Sequence, residues 1–551
     1  MRAKRCSGLA LLVVSAAAIA LTGSSVRADF AFGKPVNSGP VVNSPALEAQ
    51  PSISGDGLSL FFYSERSGGY GNRDIWVARR ATTDEAWTTL ENVGPPVNTS
   101  YRDSGPCISA DGLTLFFDSD RPGGSGQSDI WVTRRATTSD PWGTPVNLGP
   151  PVNASSYDAY PSVSADGLTL VMQSNLPGGY GGYDIWMATR QTKDAPWTAP
   201  VNLGPPVNSS ALEGDPEISP DGLTVFFGSP RAGGYGSWDV YMARRATTDD
   251  RWGTPVNLGP VINMSSPDYG PNISPDGRTF YFASDRPGGE GSGDLWQASV
   301  VPIIDFNGNG TADIEDLVVL IESWGQADPR CDIGPMPWGD GKVDAADLEV
   351  LMSCWGQPVD DPTLLAHWPL DETEGMIASD SAGDHDGTVT GLPAWQPVDG
   401  QIGGALQFDG ATCITADFVL NPADGPFSVL AWVKGGAPGQ VIVSQEDGLN
   451  WLIADLAQAA LATDLAKSLR TTGLSSQAII TDGAWHHVAF TWDGASRRLY
   501  VDEILVAEDT LDKLVGSVGN MILGAGRNMT PDTFWPGLID DVRIYGRAVE
   551  P

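Results

Sequence analysis

The chain has 551 residues, 41% of them hydrophobic and 9% aromatic, so it builds several packed domains and is not a disordered polymer. Its formal net charge of −36, from 32 Lys and Arg against 68 Asp and Glu, sets aside nucleic acid and anionic membrane surfaces as partners, because both require positive patches. The same charge serves solubility or, alternatively, the binding of cations such as calcium.

The N-terminus reads as an export signal (1–28). Arg2, Lys4 and Arg5 precede an apolar stretch from Leu9 to Leu21, and Val26-Arg27-Ala28 is a small-x-small cleavage site. Cys6 lies before the apolar stretch, which argues against a lipoprotein signal. No other segment approaches the roughly 20 apolar residues of a membrane span. The expected location is extracellular or at the cell surface, with the periplasm as an alternative.

A strictly periodic repeat follows. Its period is the interval from Trp87 to Trp142, which recurs at Trp197 and Trp252 and again in the series beginning at Asp74 and at Asn43. Each unit carries an Asp-Gly turn, an apolar β-rich run, a Gly-rich loop and a D-I-W-type strand. FGKPVNSGPVVN (32–43) matches WGTPVNLGPPVN (142–153), so the chain enters partway through a unit, and the last unit stops short after GDLWQAS (293–299). The front end therefore supplies the outer strand that the last unit lacks. That is how a circular propeller closes without an open sheet edge. Residues 29–303 make five units, hence five blades. The motif S-x-D-G-x-x-x-x-F-x-S-x-R-x-G-G-x-G-x-x-D-I-W resembles the WD-type propeller repeats of the TolB-like family.

Residues 304–357 hold a calcium-loop pair. Asp305, Asn307, Asn309, the Thr311 carbonyl, Asp313 and Asp316 fall at positions 1, 3, 5, 7, 9 and 12 of a loop with Gly310 at position 6. A second copy sets Gly341 in the place of Gly310 and Trp355 in that of Trp324, with Asp340, the Lys342 carbonyl, Asp344 and Asp347 as donors. Met336 and Trp338 stand at its positions 1 and 3 and cannot ligate. Asp332 takes the first place if residues 331–340 bulge. The pair resembles a dockerin-type duplicated half EF-hand, which implies Ca2+ and a cohesin-like partner. Ile314-Glu315 and Ala345-Ala346, at positions 10 and 11, match neither the usual docking pattern nor each other, so an internal calcium-stapled spacer is the competing expectation. Cys331 and Cys354 flank the second loop and export would permit them to pair.

After a linker (358–362), residues 363–551 alternate short strands with Gly/Asp turns, which predicts an antiparallel sandwich. LLAHWPLDETEG (364–375), DSAGDHDGTV (380–389), GGALQFDG (403–410), FSVLAWVK (427–434), the segment 482–506 and FWPGLIDDVRIYGRAV (534–549) resemble a laminin G-like, concanavalin A-like jelly roll. The resemblance implies a glycan- or protein-binding module. His486 and His487 are strand neighbours pointing to opposite faces, so they do not share an ion. Asp540-Asp541 reads as a turn, with calcium binding as the sharper alternative.

The fold expected is mainly β: a five-bladed β-propeller, a small α-helical EF-hand pair and a C-terminal sandwich. Glu48, Asp103, Asp158, Glu213 and Asp268 recur once per unit, which places five acids in a ring near one mouth of the channel, for a cation or polyhydroxyl ligand or as turn caps. Equivalent surroundings give nearly equal pKa values, whereas glycosidases need two carboxylates in unlike roles. No Ser/His/Asp set, Cys/His pair or phosphate loop stands out, and four histidines leave little for zinc. The expectation is thus a secreted, non-catalytic binding protein for extracellular glycan or protein. The alternatives are a polysaccharide-degrading enzyme or its accessory subunit, and a structural envelope protein.

Overall fold

The computed structural model describes residues 30–551 apart from 327, 329, 360, 467 and 469–472. The export signal expected over residues 1–28 lies outside them. None of the described helices is long and apolar enough to cross a membrane.

The first blade is an antiparallel sheet of Glu48–Ile53, Ser59–Ser64, Asp74–Arg79 and Thr89–Asn92, ordered from the inside outward. The next three blades repeat it from Asp103, Asp158 and Gly214. In the fifth, Asp268–Ile273, Thr279–Ser284 and Asp294–Pro302 receive their outer strand from the front of the chain, with Val36 opposite Gln297 and Asn37 opposite Trp296. Phe30–Phe32 extends the closure along Val300 to Pro302.

The repeated residues hold this frame. Asn43 accepts the Leu295 amide at 2.9 Å and donates to the Leu295 carbonyl at 3.0 Å, so it pins the closing strand. Asn98 does the same to Ile75 within the first blade. Asp74 gathers the amides of Tyr70 and Gly71 under the Gly-rich loop. Asp56 receives the Ser54 hydroxyl at 2.5 Å and the Leu58 amide at 3.0 Å in the Asp-Gly turn.

The helices Ile314–Glu322 and Ala345–Ser353 start at capping boxes formed by Asp313 with Asp316 and by Asp344 with Asp347. Two eight-stranded antiparallel sheets then form the sandwich around a core that includes Trp368, Trp451, Phe490 and Trp535. His486 binds Asp502 and Asp482, while His487 stacks on Trp432 at 4.9 Å, so the two rings have separate partners. Cys331 and Cys354, candidates for a disulfide, are free thiols, as are Cys107 and Cys413.

The three modules touch. Trp338, in the segment before the second helix, is buried against Phe30 and Phe226, each 6.0 Å away between ring centroids. Arg543 and Tyr545 of the sandwich each donate to the Gly308 carbonyl at 2.9 Å, and Arg547 donates to that of Asp305 at 2.7 Å.

Candidate functional site at the channel mouth

The ring of five acids does not line an open mouth. Glu48, Asp103, Asp158, Glu213 and Asp268 are all 0% exposed. Four of them pair with an arginine that follows at a fixed offset: Arg66 with Glu48 at 2.9 Å, Arg121 with Asp103 at 2.5 Å, Arg231 with Glu213 at 2.9 Å and Arg286 with Asp268 at 2.9 Å. Each also caps the loop before it, as Glu48 does through the Ser44 amide at 2.8 Å. Asp158, whose blade has Leu176 in place of the arginine, relies on Ser156, Ser174 and the Ala154 amide. The expected ligand ring is therefore corrected to a buried framework. Strand alternation explains it: position 48 faces into the blade, and positions 47 and 49 face the other way.

Positions 47, 50, 63 and 73 converge at the same end of the channel, and they differ between blades. The position of Leu47 is Arg102, Tyr157, Leu212 and Pro267 in the later units. Gln50 becomes Gly105, Tyr160, Asp215 and Gly270; Tyr63 becomes Asp118, Gln173, Gly228 and Ala283; Arg73 becomes Ser128, Tyr183, Trp238 and Gly293. They lie at the start of the inner strand, the end of the second strand and the start of the third, which is one rim. A bulge follows position 49, and φ is positive at position 50 in every blade, from +50° to +59°. That bend turns the side chain toward the axis. Of the five residues there, only Gly105 and Gly270 take this conformation without strain. The bend recurs in all five blades and belongs to the blade; what differs between blades is the side chain it carries.

The resulting cluster is tightly coupled. Arg102 pairs with Asp118 at 3.1 Å, donates to the Tyr160 hydroxyl at 3.2 Å and lies over the Tyr157 ring at 5.3 Å. Asp118 also receives the hydroxyls of Ser104 and Ser128. Arg73 lies over the Tyr63 ring at 4.7 Å and pairs with Glu65 at 2.9 Å. Burial opposes the charge on Arg102, but Asp118, Tyr160 and Tyr157 outweigh it and keep the guanidinium protonated. Burial pushes Asp215 up to about 7, against the hydrogen bonds of Gln50 and the Gly270 amide, with the Asp118 charge adding to the rise. Both guanidinium side chains retain solvent access, 26% for Arg73 and 18% for Arg102, whereas the carboxylates behind them are buried, Asp118 at 0% and Asp215 at 8% exposure.

Two carboxylates in unlike surroundings and two cationic side chains among four tyrosines thus share one rim. That is the asymmetry a fivefold frame was expected to lack. Sequence reasoning missed it because the repeats were read for their agreement. The signal was the set of in-register positions at which the units disagree.

Each of the two acidic loops gathers backbone amides on a pair of its own carboxylates. Asp305 accepts the amides of Gly308, Asn309 and Gly310 at 2.8 to 3.1 Å, and Asp332 accepts those of Asp340 and Gly341, so residue 332 bulges into the first place of the second loop. Asp316 receives the amides of Phe306 and Asp313, and Asp347 those of Ile333, Gly334 and Asp344. Burial pushes Asp316 up to about 6. Among the described residues, no three Asp, Glu, His or Cys side chains converge on one point. A cation in the first loop would therefore draw on the side-chain oxygens of Asn307 and Asn309 and the Thr311 carbonyl, with at most two of the Asp305, Asp313 and Asp316 carboxylates beside them. This set of hard oxygens fits Ca2+. When bound, the ion would neutralise the buried carboxylates. In the second loop Arg244 of the propeller lies 3.7 Å from Asp332, and Lys342 lies 3.6 Å from Asp344.

The sandwich holds one arrangement that contradicts the expectation of no Ser/His/Asp set. His367 contacts Asp541 through Nε2 at 2.7 Å and Ser381 through Nδ1 at 2.8 Å. Arg543 shares Asp541. His367 and Arg543 face a cavity of about 490 Å³ against the loop at 309–313, which Ser381 does not line.

Residues 408–551 match the family Laminin G 3, described as the concanavalin A-like lectin/glucanases superfamily. The chain is similar in structure to the Trypanosoma rangeli sialidase in complex with sialic acid, at 12% identity over 95% of each chain, with a TM-score of 0.48. It is also similar to the putative TolB from Agrobacterium tumefaciens, at 20% identity over 46% of this chain and 78% of that one, with a TM-score of 0.30. A third is domain 4 of AbnA, a GH43 extracellular arabinanase from Geobacillus stearothermophilus, at 23% identity over 34% of this chain and 94% of that one, with a TM-score of 0.25. No curated protein matches the chain. The expectation of a non-enzyme is withdrawn, because the sameness of the blades on which it rested fails at the channel mouth.

Proposed function

We propose that the protein is an exported glycoside hydrolase whose channel mouth cleaves a glycan bearing acidic sugars. The observation that carries this is the convergence of Arg73, Arg102, Asp118, Asp215, Tyr63 and Tyr160 at one rim, from positions where the five blades differ. Asp215, protonated near neutrality, is suited to give a proton to the leaving oxygen. Asp118, paired with Arg102, supplies the contrasting carboxylate. Arg73 and Arg102 attract an anionic sugar, and the tyrosine rings offer faces for its apolar side.

The sandwich serves as a glycan-binding module. The calcium-loop pair acts as an internal joint and not as a docking tag for a separate cohesin-like protein. Its first loop meets Arg543, Tyr545 and Arg547, and its second buries Trp338 in the propeller. Surfaces already used within the chain support that choice.

A panel of aryl glycosides of neutral and acidic sugars tests the activity on the full chain. Turnover is expected for carboxylate-bearing sugars only, and Arg73→Ala should raise KM about tenfold or more for them, since hydrogen bonds to charged groups contribute about 1.5–3 kcal/mol. Absence of turnover across the panel, together with unaltered oligosaccharide binding by Arg73→Ala, would refute this reading.

A further inference from the structure

The sandwich joins a hydroxyl, an imidazole and a carboxylate into one relay at its surface. His367 Nε2 lies 2.7 Å from Asp541 Oδ1, and its Nδ1 lies 2.8 Å from the Ser381 hydroxyl. Burial opposes the charge on Asp541, but the His367 hydrogen bond and the Arg543 charge outweigh it and hold the carboxyl below its usual range. An ionised carboxylate only accepts, so the neutral imidazole carries its proton on Nε2 and its lone pair on Nδ1. The Ser381 hydroxyl therefore donates to Nδ1. A nucleophile bonded to a base, with the base oriented by a third group, is the arrangement that activates a serine.

The surroundings hold all three groups in place. Asp541 stands in a bulge of strand Pro536–Tyr545, where Leu430 opposes Arg543 and Trp432 opposes Asp540. Its φ of +49° is a backbone that a non-glycine residue adopts at a cost, and the bend re-aims its carboxylate toward His367. On the other side, Asp380 accepts the amides of His367 at 2.8 Å, Ala382 at 3.0 Å and His385 at 3.1 Å. The Ser381 amide donates to the His367 carbonyl at 2.8 Å. The turn that carries Ser381 is thus tied to the strand that carries His367. Exposure rises along the relay, from 7% at Asp541 through 18% at His367 to the exposed Ser381. The orienting carboxylate is dry and the nucleophile is within reach of a substrate.

We propose that Ser381, His367 and Asp541 form an esterase site for short acyl esters of bulky alcohols. Ser381 lies on the exposed turn between Ile377–Ala378 and Gly387–Thr390, which admits a large alcohol portion. The small and acidic side chains of that turn, SDSAGDHD (379–386), give no apolar bed for a long acyl chain. The Ser381 oxygen bonds to the ester carbonyl carbon as its proton passes to His367 Nδ1. The bond from that carbon to the alcohol oxygen then breaks, and the alcohol oxygen takes the proton from His367. Water repeats both transfers on the acylated serine and releases the carboxylic acid. The site uses no residue of the channel mouth, so it stands or falls apart from the glycoside reading.

The test treats the full chain with a fluorophosphonate, which reports an activated serine by forming a phosphorus–oxygen bond and expelling fluoride. One label per chain, on the peptide that contains Ser381, is expected, together with hydrolysis of p-nitrophenyl acetate. Ser381→Ala, at an exposed position where Tm should not change, should abolish both. His367→Gln should slow both by about 10²–10⁴-fold, the range of a lost general base. Asp541 acts through His367 as a positioning residue. Asp541→Asn should therefore slow labelling, and Asp541→Glu, which returns a carboxylate, should recover part of the rate. A folded chain that takes no label on Ser381, or a Ser381→Ala variant that hydrolyses the ester as fast as the unaltered chain, would end the proposal.

Discussion

The propeller carries two populations of acids on neighbouring strand positions, and they do opposite things. Glu48, Asp103, Glu213 and Asp268 recur with the blade, face inward and are neutralised by an arginine at a fixed offset. Asp118 and Asp215 occur once each and belong to a network that no other blade repeats. Repetition marks what each blade needs in order to stand beside its neighbours. Departure from repetition marks what the molecule has placed at one point of the ring. In a protein built from internal copies, the copies serve as their own control, and the functional residues are those that the control does not predict.

The sharpest way to break this contrast is to remove one acid of each kind. Asp215→Asn should lower kcat on an acidic glycoside by about 10²–10⁴-fold, the range of a lost general acid, with Tm unchanged or raised because a buried ionisable group has gone. A lowered Tm with full activity per folded molecule would place Asp215 in the framework instead. Asp268→Ala should do the reverse. It strands the buried Arg286 and should cost about 3–5 kcal/mol in chemical denaturation, while turnover per folded molecule stays near that of the unaltered protein.

Much of the frame was legible before any coordinate. The closing strand at Val36–Asn37 followed from Phe32 standing one full repeat before Trp87, and the bulge that brings in Asp332 followed from counting back from Gly341. The role of Trp338 was not legible. A tryptophan at a ligand position reads as a defect in the loop until Phe30 and Phe226 appear beside it. The channel site escaped for a related reason. Arg73, Arg102, Asp118 and Asp215 sit on three different blades, and nothing along the chain states which variable positions share a rim; that follows from strand alternation and the bend at position 50. Ser381, His367 and Asp541 escaped because antiparallel pairing, not sequence distance, brings the first and last strands of the sandwich together.

The comparison also has a pH signature. Asp215 and Glu217 both titrate higher in the fold than in an unfolded chain, chiefly through burial, at about 7 and about 8. The folded state therefore holds their protons more tightly. The stability they confer is complete below about pH 4 and is lost as pH rises through 7 and 8, with a slope of up to about 1.4 kcal/mol per pH unit for each group. Denaturant titrations from pH 5 to 9 should show that decline, and Asp215→Asn with Glu217→Gln should flatten it. The alkaline limb of activity should coincide with the Asp215 step and vanish with Asp215→Asn, whereas Glu217→Gln should leave it in place.

The smallest expected effect concerns the framework acid that stands alone. Asp158 has no arginine, because Leu176 occupies that position, and burial raises its pKa against the hydrogen bonds of the Ala154 amide, Ser174 and Ser156. Asp158→Asn keeps an acceptor for these donors and removes an unpaired buried charge, so it should change stability by about 1 kcal/mol or less. Asp103→Asn, the same substitution one blade earlier, leaves Arg121 facing a neutral amide and should cost several times more. Equal losses in the two blades, read from denaturant midpoints at pH 7, would mean that the arginine contributes nothing to the frame. The third blade would then be no exception to the fivefold pattern.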